Sequence, residues 1–159
     1  ITSLSTLSYL SLYRNNLSHL PELIGNLISL EHLDLGQNQL ASIPESIGDL
    51  INLEYLFINN NTLFLSSLPD AISDLESLIE LKMNDNMITS LPLNIGTLSN
   101  LEILNCTSNE LSTLPETLCD LPDDCDILLN NNNLCDETLL LFSECIYQDS
   151  NQNQGDCGE

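Results

Sequence analysis

Basic residues are almost absent from this 159-residue chain, which has two Lys and Arg residues against 24 Asp and Glu and a formal net charge of −22. A surface with so few cations cannot neutralise many phosphate groups, so we predict no nucleic-acid partner and no charge-driven docking on anionic membranes. The hydrophobic content of 42% and the charged content of 16% indicate a folded domain with a core rather than a disordered acidic chain.

Long apolar runs, aromatic residues and catalytic motifs are also scarce. No stretch reaches the roughly 18 to 20 apolar residues of a membrane-spanning helix, and none resembles a signal peptide, so we predict no membrane insertion. Tryptophan is absent and aromatic residues make up 4% of the chain. No phosphate-binding loop, nucleophile elbow or Cys-x-x-Cys pair occurs, which leaves no catalytic residue and no metal ligand to nominate. We predict a protein that is not an enzyme and has no cofactor.

A repeated pattern organises what is present. Each unit reads L-x-x-L-x-L-x-x-N-x-L-x-x-L-P-x-x-I-G-x-L-x-x, with steps of 23 residues and one step of 25. The units open at Leu7, Leu30, Leu53, Leu78, Leu101 and, in degenerate form, Asp124. Apolar and polar residues alternate after each opening residue, which predicts a short strand with one buried face. Because one unit cannot bury that face alone, the units must stack into a parallel sheet.

This pattern resembles the leucine-rich repeat family, in its 23-residue LPxxIGxL class. The resemblance implies an α/β solenoid with a parallel β-sheet on the concave face, short 3₁₀ or irregular turns on the convex face and a small helical C-terminal cap. We assign repeats to residues 1–134: a partial repeat over 1–6, five full repeats from 7 and the degenerate sixth from 124. A cysteine-containing cap follows over 135–147, and a polar tail over 148–159. Since the chain begins inside a repeat, we expect further repeats upstream.

The ninth position of every unit is asparagine, and we interpret these residues as structural. An amide can donate to and accept from the backbone of the turn that follows each strand.

Five of the six cysteines lie in the last third of the chain. They look like the cysteine-bearing caps of secreted leucine-rich repeat proteins, a resemblance that implies disulfides and an oxidising compartment. Their pairing stays open, and one cysteine is left over unless Cys106 or a second chain supplies a partner. Zinc binding and a cytosolic chain with free thiols are the competing interpretations. The disulfide candidates are Cys119, Cys125, Cys135, Cys145 and Cys157.

Three Asn-x-Ser/Thr sequons add mild support for a secreted or cell-surface glycoprotein. They begin at Asn16, Asn60 and Asn105.

In this family the concave face commonly binds protein partners, so the outward strand positions are where we expect a ligand. Three of the four Tyr, one Phe, one of the two His and both basic residues occupy such positions. Exposed aromatics beside Arg have the composition of interaction hot spots. The plainer interpretation is that Tyr and Phe simply suit a strand surface. The predicted binding residues are Tyr9, Tyr13, Arg14, His32, Asp34, Tyr55, Phe57 and Lys82.

Our leading hypothesis is a non-enzymatic extracellular module that recognises a protein or glycan partner through the concave face. The alternative is a structural subunit of an extracellular surface assembly or filament, formed by self-association. A third interpretation is an intracellular signalling scaffold, because the repeats also look like those of Ras-associated scaffolds. Acidic residues recur in columns that calcium could bridge, but no calcium-loop motif occurs, and we favour a solvated acidic surface as their explanation. One such column holds Glu22, Glu45, Asp70 and Glu116.

Overall fold

Six short strands form one parallel sheet in chain order in the computed structural model, which describes residues 4–61 and 65–146. Each strand residue pairs with its counterpart one repeat along, as Tyr9 does with His32 and His32 with Tyr55. The longer predicted step lies between the third and fourth strands, where Tyr55 pairs with Glu80. The strands are β1 Tyr9–Ser11, β2 His32–Asp34, β3 Tyr55–Phe57, β4 Glu80–Lys82, β5 Ile103–Asn105 and β6 Asp126–Leu128.

Opposite the sheet, the chain returns through short 3₁₀ turns, which we call the convex turns. Proline in extended conformation precedes four of the five, where its restricted φ suits the entry into the turn. The convex turns are Glu22–Asn26, Glu45–Asp49, Asp70–Asp74, Ile95–Thr97 and Glu116–Asp120. The predicted solenoid, with strands on one side and 3₁₀ turns on the other, is confirmed.

The core lies between the sheet and the convex turns. The middle residue of each inner strand points inward and is fully buried, while its two neighbours stay partly exposed on the concave face. This is the alternation expected of a strand with one buried side. The buried middle residues are Leu33, Leu56, Leu81 and Leu104.

The repeated asparagines join consecutive repeats through their side chains. Asn61 is fully buried; its Nδ2 donates to the carbonyl of Ile58 at 2.9 Å, and its Oδ1 accepts from the N–H of Leu40 at 3.0 Å. The backbone N–H of Asn61 donates to Oδ1 of Asn86 at 2.7 Å. Buried polar groups require such partners, so the structural interpretation of these asparagines is confirmed.

A short helix covers the C-terminal end of the core. Helix α1, Asp136–Leu141, lies within the segment that we predicted as the cap, and Leu139, Phe142 and Ile146 from this region are buried. A disulfide joins Cys119 of the last convex turn to Cys145, and Cys135 is also disulfide-bonded. The predicted tail and its Cys157 lie outside the described residues.

The prediction that Cys125 forms a disulfide is wrong. Cys125 has a free thiol, as does Cys106. Cys125 directly precedes β6 and is hydrogen-bonded to the backbone of Leu104 in the neighbouring repeat. Burial, with a smaller contribution from the charge of Asp126, raises the pKa of the Cys125 thiol to about 11. Burial likewise raises the pKa of Cys106.

Candidate functional site

Four rings from three neighbouring strands meet on the concave face and form what we call the aromatic cluster: Tyr9, His32, Tyr55 and Phe57. The parallel register aligns Tyr9, His32 and Tyr55 in one column. The ring centroids of Tyr9 and His32 lie 4.6 Å apart, and those of His32 and Tyr55 lie 5.6 Å apart. Phe57, from the adjacent column, meets the His32 ring edge-on at 5.0 Å. The repeat spacing therefore converts residues far apart in sequence into one continuous contact surface.

The orientation of these rings decides what they can offer a ligand. The planes of Tyr9 and His32 differ by 17°, so the two rings stack on each other and cover one face of each. Tyr9 nevertheless remains 59% exposed, so more than half of its surface is open to solvent. Ring edges and hydroxyls suit apolar and hydrogen-bonding groups of a protein, and such amphipathic aromatics are typical of interaction surfaces.

A charged pair borders the cluster on the side of the fourth strand. The ammonium of Lys82 lies 4.5 Å from the centroid of the Phe57 ring, a cation–π contact. The same Nζ is 2.8 Å from Oε1 of Glu80. Lys82 is therefore held against Phe57 by a partner of opposite charge, and its side chain is 38% exposed.

The other cation lies near the first strand. Arg14 follows β1, and its guanidinium carbon is 6.0 Å from the centroid of the Tyr13 ring. Tyr13 is 41% exposed. The carboxylate of Asp34 is oriented by two donors, the N–H of Gly36 at 3.0 Å and the hydroxyl of Ser11 at 3.4 Å. Aromatic, cationic and anionic groups are thus grouped at this end of the sheet.

The eight predicted binding residues all lie on β1 to β4 or in the segment that follows β1. The structure brings them together in two groups, the aromatic cluster with Lys82, and Tyr13 with Arg14 and Asp34 further along the same face. Their role in binding stays a prediction. The prediction of binding residues omitted two residues that shape this face. Glu80 pairs with Lys82, and Gly36 lies beside Tyr13 and Asp34 without a side chain of its own. Their column positions were readable in the sequence, but their contacts depend on side-chain orientation.

The three sequons differ in their surroundings. Asn16 is exposed, in the loop after β1. Asn105 lies on β5, where its Oδ1 accepts from the N–H of Thr107 at 3.1 Å. Asn60 is partly buried, and Thr62 of its sequon lies outside the described residues. Glycosylation at these positions stays a prediction.

Within the described part of the chain, no group of three or more His, Cys, Asp or Glu side chains is placed to hold a metal ion. The calcium interpretation therefore stays an untested prediction. None of the helices found among residues 4–61 and 65–146 has the length and apolar character needed to cross a bilayer.

Comparison with protein families gives two matches. A model described as "Leucine-rich repeat region" matches residues 1–87, and one described as "Leucine Rich Repeat" matches residues 100–121. No curated protein sequence matches the chain.

Solved structures give similar folds. A leucine-rich repeat protein of Leptospira interrogans has 32% identity and a TM-score of 0.80, with 95% of this chain and 39% of that chain covered. The plant peptide hormone receptor RGFR1, in complex with RGF2, has 30% identity and a TM-score of 0.74, with coverage of 84% and 26%. A TDR receptor has 32% identity and a TM-score of 0.72, with coverage of 81% and 23%. The chain thus spans well under half the length of these three proteins.

Proposed function

The chain belongs to the leucine-rich repeat family, and we propose that it is an extracellular recognition module that binds a protein partner through the concave face. The fold and the receptor neighbours indicate a protein-interaction module, and domains of this family are typically non-enzymatic. The observation that carries the proposal is the aromatic cluster, in which His32 contacts the other three rings and Lys82 lies over Phe57.

A few aromatic and basic residues often supply most of the binding energy at protein interfaces. Tyr and Arg are enriched among hot spots, and a rigid ring loses little conformational entropy when it is covered by a partner. The stacking of Tyr9 on His32 pre-organises the cluster, which reduces the cost of ordering it on binding. A partner that covers Tyr9 and Tyr55 also removes water from the neighbouring Phe57 ring, whose other neighbour is Lys82.

A protein partner suits this surface better than a glycan. Carbohydrates are commonly held by stacking on an open aromatic face, and the contact between Tyr9 and His32 covers one face of each of these rings. Their edges, hydroxyls and ring nitrogens remain, and these groups match the mixture of apolar and hydrogen-bonding groups on a peptide.

An extracellular location is supported by the cap. The Cys119–Cys145 disulfide ties α1 to the last repeat, and disulfides of this structural kind persist in oxidising compartments. Intact-mass analysis after alkylation of the protein from its natural source tests this part. We expect Cys119 and Cys145 to be protected from alkylation, whereas six alkylated cysteines would place the chain in a reducing compartment.

The binding proposal is tested with a displayed library of random 12-residue peptides, selected on the wild-type chain. We expect the double variant Tyr55→Ala/Phe57→Ala to bind the selected peptides about 10-fold or more weakly, as for loss of a hot spot. Leu93→Ala is the matched control, because Leu93 is an exposed apolar residue just ahead of a convex turn. Equal binding by the double variant and the wild type would overturn the proposal, and so would binding to a glycan array with none to peptides.

A further inference from the structure

An open cavity of about 680 Å³ lies at the C-terminal end of the solenoid, among the last convex turn, β6 and the cap. Volumes of this size are typical of sites that hold a ligand or a partner side chain. Two of its apolar lining residues, Leu128 and Leu141, are exposed to solvent, so the cavity can be entered from outside. The apolar lining consists of Leu118, Leu121, Ile127, Leu128 and Leu141.

The cavity exists because the cap does not replace a full repeat. Ile127 holds the inward position of β6 but is only partly buried, whereas the four equivalent residues of β2 to β5 are fully buried by the repeat that follows each of them. Leu129 and Leu134 are buried, so the opening is local to β6 and the segment before it. Part of the hydrophobic core is therefore left within reach of a partner.

The cavity marks the place, and the carboxylates that line it decide which partner fits. Four acidic residues line the cavity, and Arg14 and Lys82, the only Lys and Arg residues of the chain, both precede β5. An apolar floor with carboxylates around it matches an apolar side chain that has basic neighbours, which would form charge-assisted hydrogen bonds. The acidic lining residues are Asp123, Asp124, Asp126 and Glu144.

The chain itself does not supply such a segment. Residues 147–159 contain three acidic residues and no Lys or Arg, so they lack the charge that the lining attracts. A second copy of the chain brings a net charge of −22 and has only the same two basic residues to offer, of which Lys82 is already paired with Glu80. Like charges facing each other disfavour both of these occupants. The complementary segment therefore comes from another protein.

We propose that this cavity, which we call the cap pocket, is a second docking site that takes an apolar side chain from a basic segment of a partner protein. A peptide segment supplies both parts of the match, the apolar side chain for the cavity and Lys or Arg at neighbouring positions for the carboxylates. The cap pocket is separate from the aromatic cluster, which lies on β1 to β3. The inference does not depend on the proposed function.

The test selects random 12-residue peptides on the full chain carrying Tyr55→Ala/Phe57→Ala, so that the aromatic cluster is disabled. We expect the selected peptides to share an apolar residue close to a Lys or Arg. Adding Leu141→Glu should weaken their binding about 10-fold or more, as for loss of a hot spot. Leu140→Glu is the matched control, because Leu140 is the adjacent residue of α1 and is 73% exposed, against 81% for Leu141, but does not line the cavity.

The charge of the lining is tested by a double-mutant cycle. Replacing the basic residue of a selected peptide by norleucine should weaken binding about 10-fold. On Asp124→Asn/Asp126→Asn the same replacement should have less than about a 3-fold effect, because the charges that it met are gone. Glu45→Gln/Asp70→Asn is the matched control, since it removes two exposed acidic charges from the convex turns.

A measurement on the unmutated chain keeps the test informative if a cavity variant fails to fold. The selected peptides, added to the isotope-labelled wild-type chain, should shift the amide NMR signals of residues 118–128 and 141–145. Shifts confined to β1 to β4 would overturn the cap pocket. So would selected peptides without a basic residue, peptides that bind Leu141→Glu as well as Leu140→Glu, or a selection that yields no binder.

The outcomes separate this inference from the proposed function. Peptides selected on the wild-type chain are sorted by the variant that abolishes their binding: Leu141→Glu for the cap pocket, or Tyr55→Ala/Phe57→Ala for the aromatic cluster. A set that contains only the second kind would overturn the cap pocket and leave the proposed function standing. A set that contains only the first kind would overturn the proposed function and support the cap pocket.

Discussion

Cys119 is disulfide-bonded to Cys145, and its Cα lies 5.3 Å from that of its partner. Cys119 stands in the last convex turn at the repeat position that glycine holds in three earlier turns. At those glycines the backbone of the next repeat passes so close that a Cβ has little room. No further convex turn follows within the described residues, so the same position can carry a side chain that reaches the cap. The glycines are Gly25, Gly48 and Gly96.

Removing this disulfide should loosen the cap. The bond closes a loop with a sequence separation of 26 residues, and a loop of that length corresponds to about 3.5 kcal/mol of unfolding free energy. We expect Cys119→Ser/Cys145→Ser to lower the free energy of unfolding by about this amount, measured by urea denaturation.

Cys125→Ser is the matched control, since it removes a free thiol without cutting a cross-link. A double variant that unfolds at the same urea concentration as the wild type would show that this disulfide adds nothing to stability.

The repeated asparagines should contribute unequally to the free energy of unfolding. Asn61→Ala leaves the N–H of Leu40 without its acceptor in a fully buried site, whereas the carbonyl of Ile58 still accepts from Nδ2 of Asn86. An orphaned buried group costs about 1 to 3 kcal/mol, so we expect a loss of that size. Thermal and urea unfolding measure it.

Asn15→Ala is the comparison for that change. Asn15 is exposed, and its amide donates only to Leu12 and Tyr13 of its own repeat. Its replacement should cost less than about 0.5 kcal/mol, as at most surface positions. Equal losses at the two positions would mean that the inter-repeat hydrogen bonds of Asn61 add nothing to stability.

Gly96 should not tolerate a methyl group. A Cβ there would clash with the carbonyl oxygen of Thr117, which belongs to the backbone of the next convex turn and cannot rotate away. Forcing a methyl group into a packed contact costs about 1 to 3 kcal/mol. We expect Gly96→Ala to lower the melting temperature accordingly.

Ser73→Ala tests the same position one repeat earlier. Ser73 already has a Cβ, and its buried hydroxyl has no hydrogen-bond partner within the described residues. Its removal should leave stability unchanged or raise it, because an unsatisfied buried polar group is unfavourable. A loss at Ser73 as large as that at Gly96 would argue against backbone crowding as the cause.

Cys125 should react as a poor nucleophile in the folded protein. Only the thiolate attacks iodoacetamide, and a pKa of about 11, compared with about 8.5 for an ordinary thiol, lowers the thiolate fraction near neutral pH. The alkylation rate should therefore rise about tenfold per pH unit up to the region of that pKa.

The Cys106→Ala variant isolates this reaction from the second free thiol. Unfolding the protein in urea should restore the ordinary pH profile. A folded-state profile with its midpoint near 8.5 would contradict the burial argument.

Much of this fold was predictable because stacked repeats are periodic. A residue in one strand neighbours the residue at the same position in the next strand, so the columns of Tyr9, His32 and Tyr55 follow from spacing alone. The buried asparagines followed in the same way. The cap was less predictable, because it is not periodic: Cys125 is free, and Cys119 and Cys145 form a pair that no spacing rule selects.

The sequence by itself determined the solenoid, its register and which residues share the concave face, because burying each apolar strand face requires stacking in step. The tertiary structure alone decided which atoms meet. Tyr9 stacks on His32, Lys82 lies over Phe57, and three side chains converge over Gly36. Those contacts depend on side-chain rotamers and on the absence of a Cβ at Gly36. The repeat period of the sequence predicts neither the rotamers nor the contacts that a missing Cβ allows.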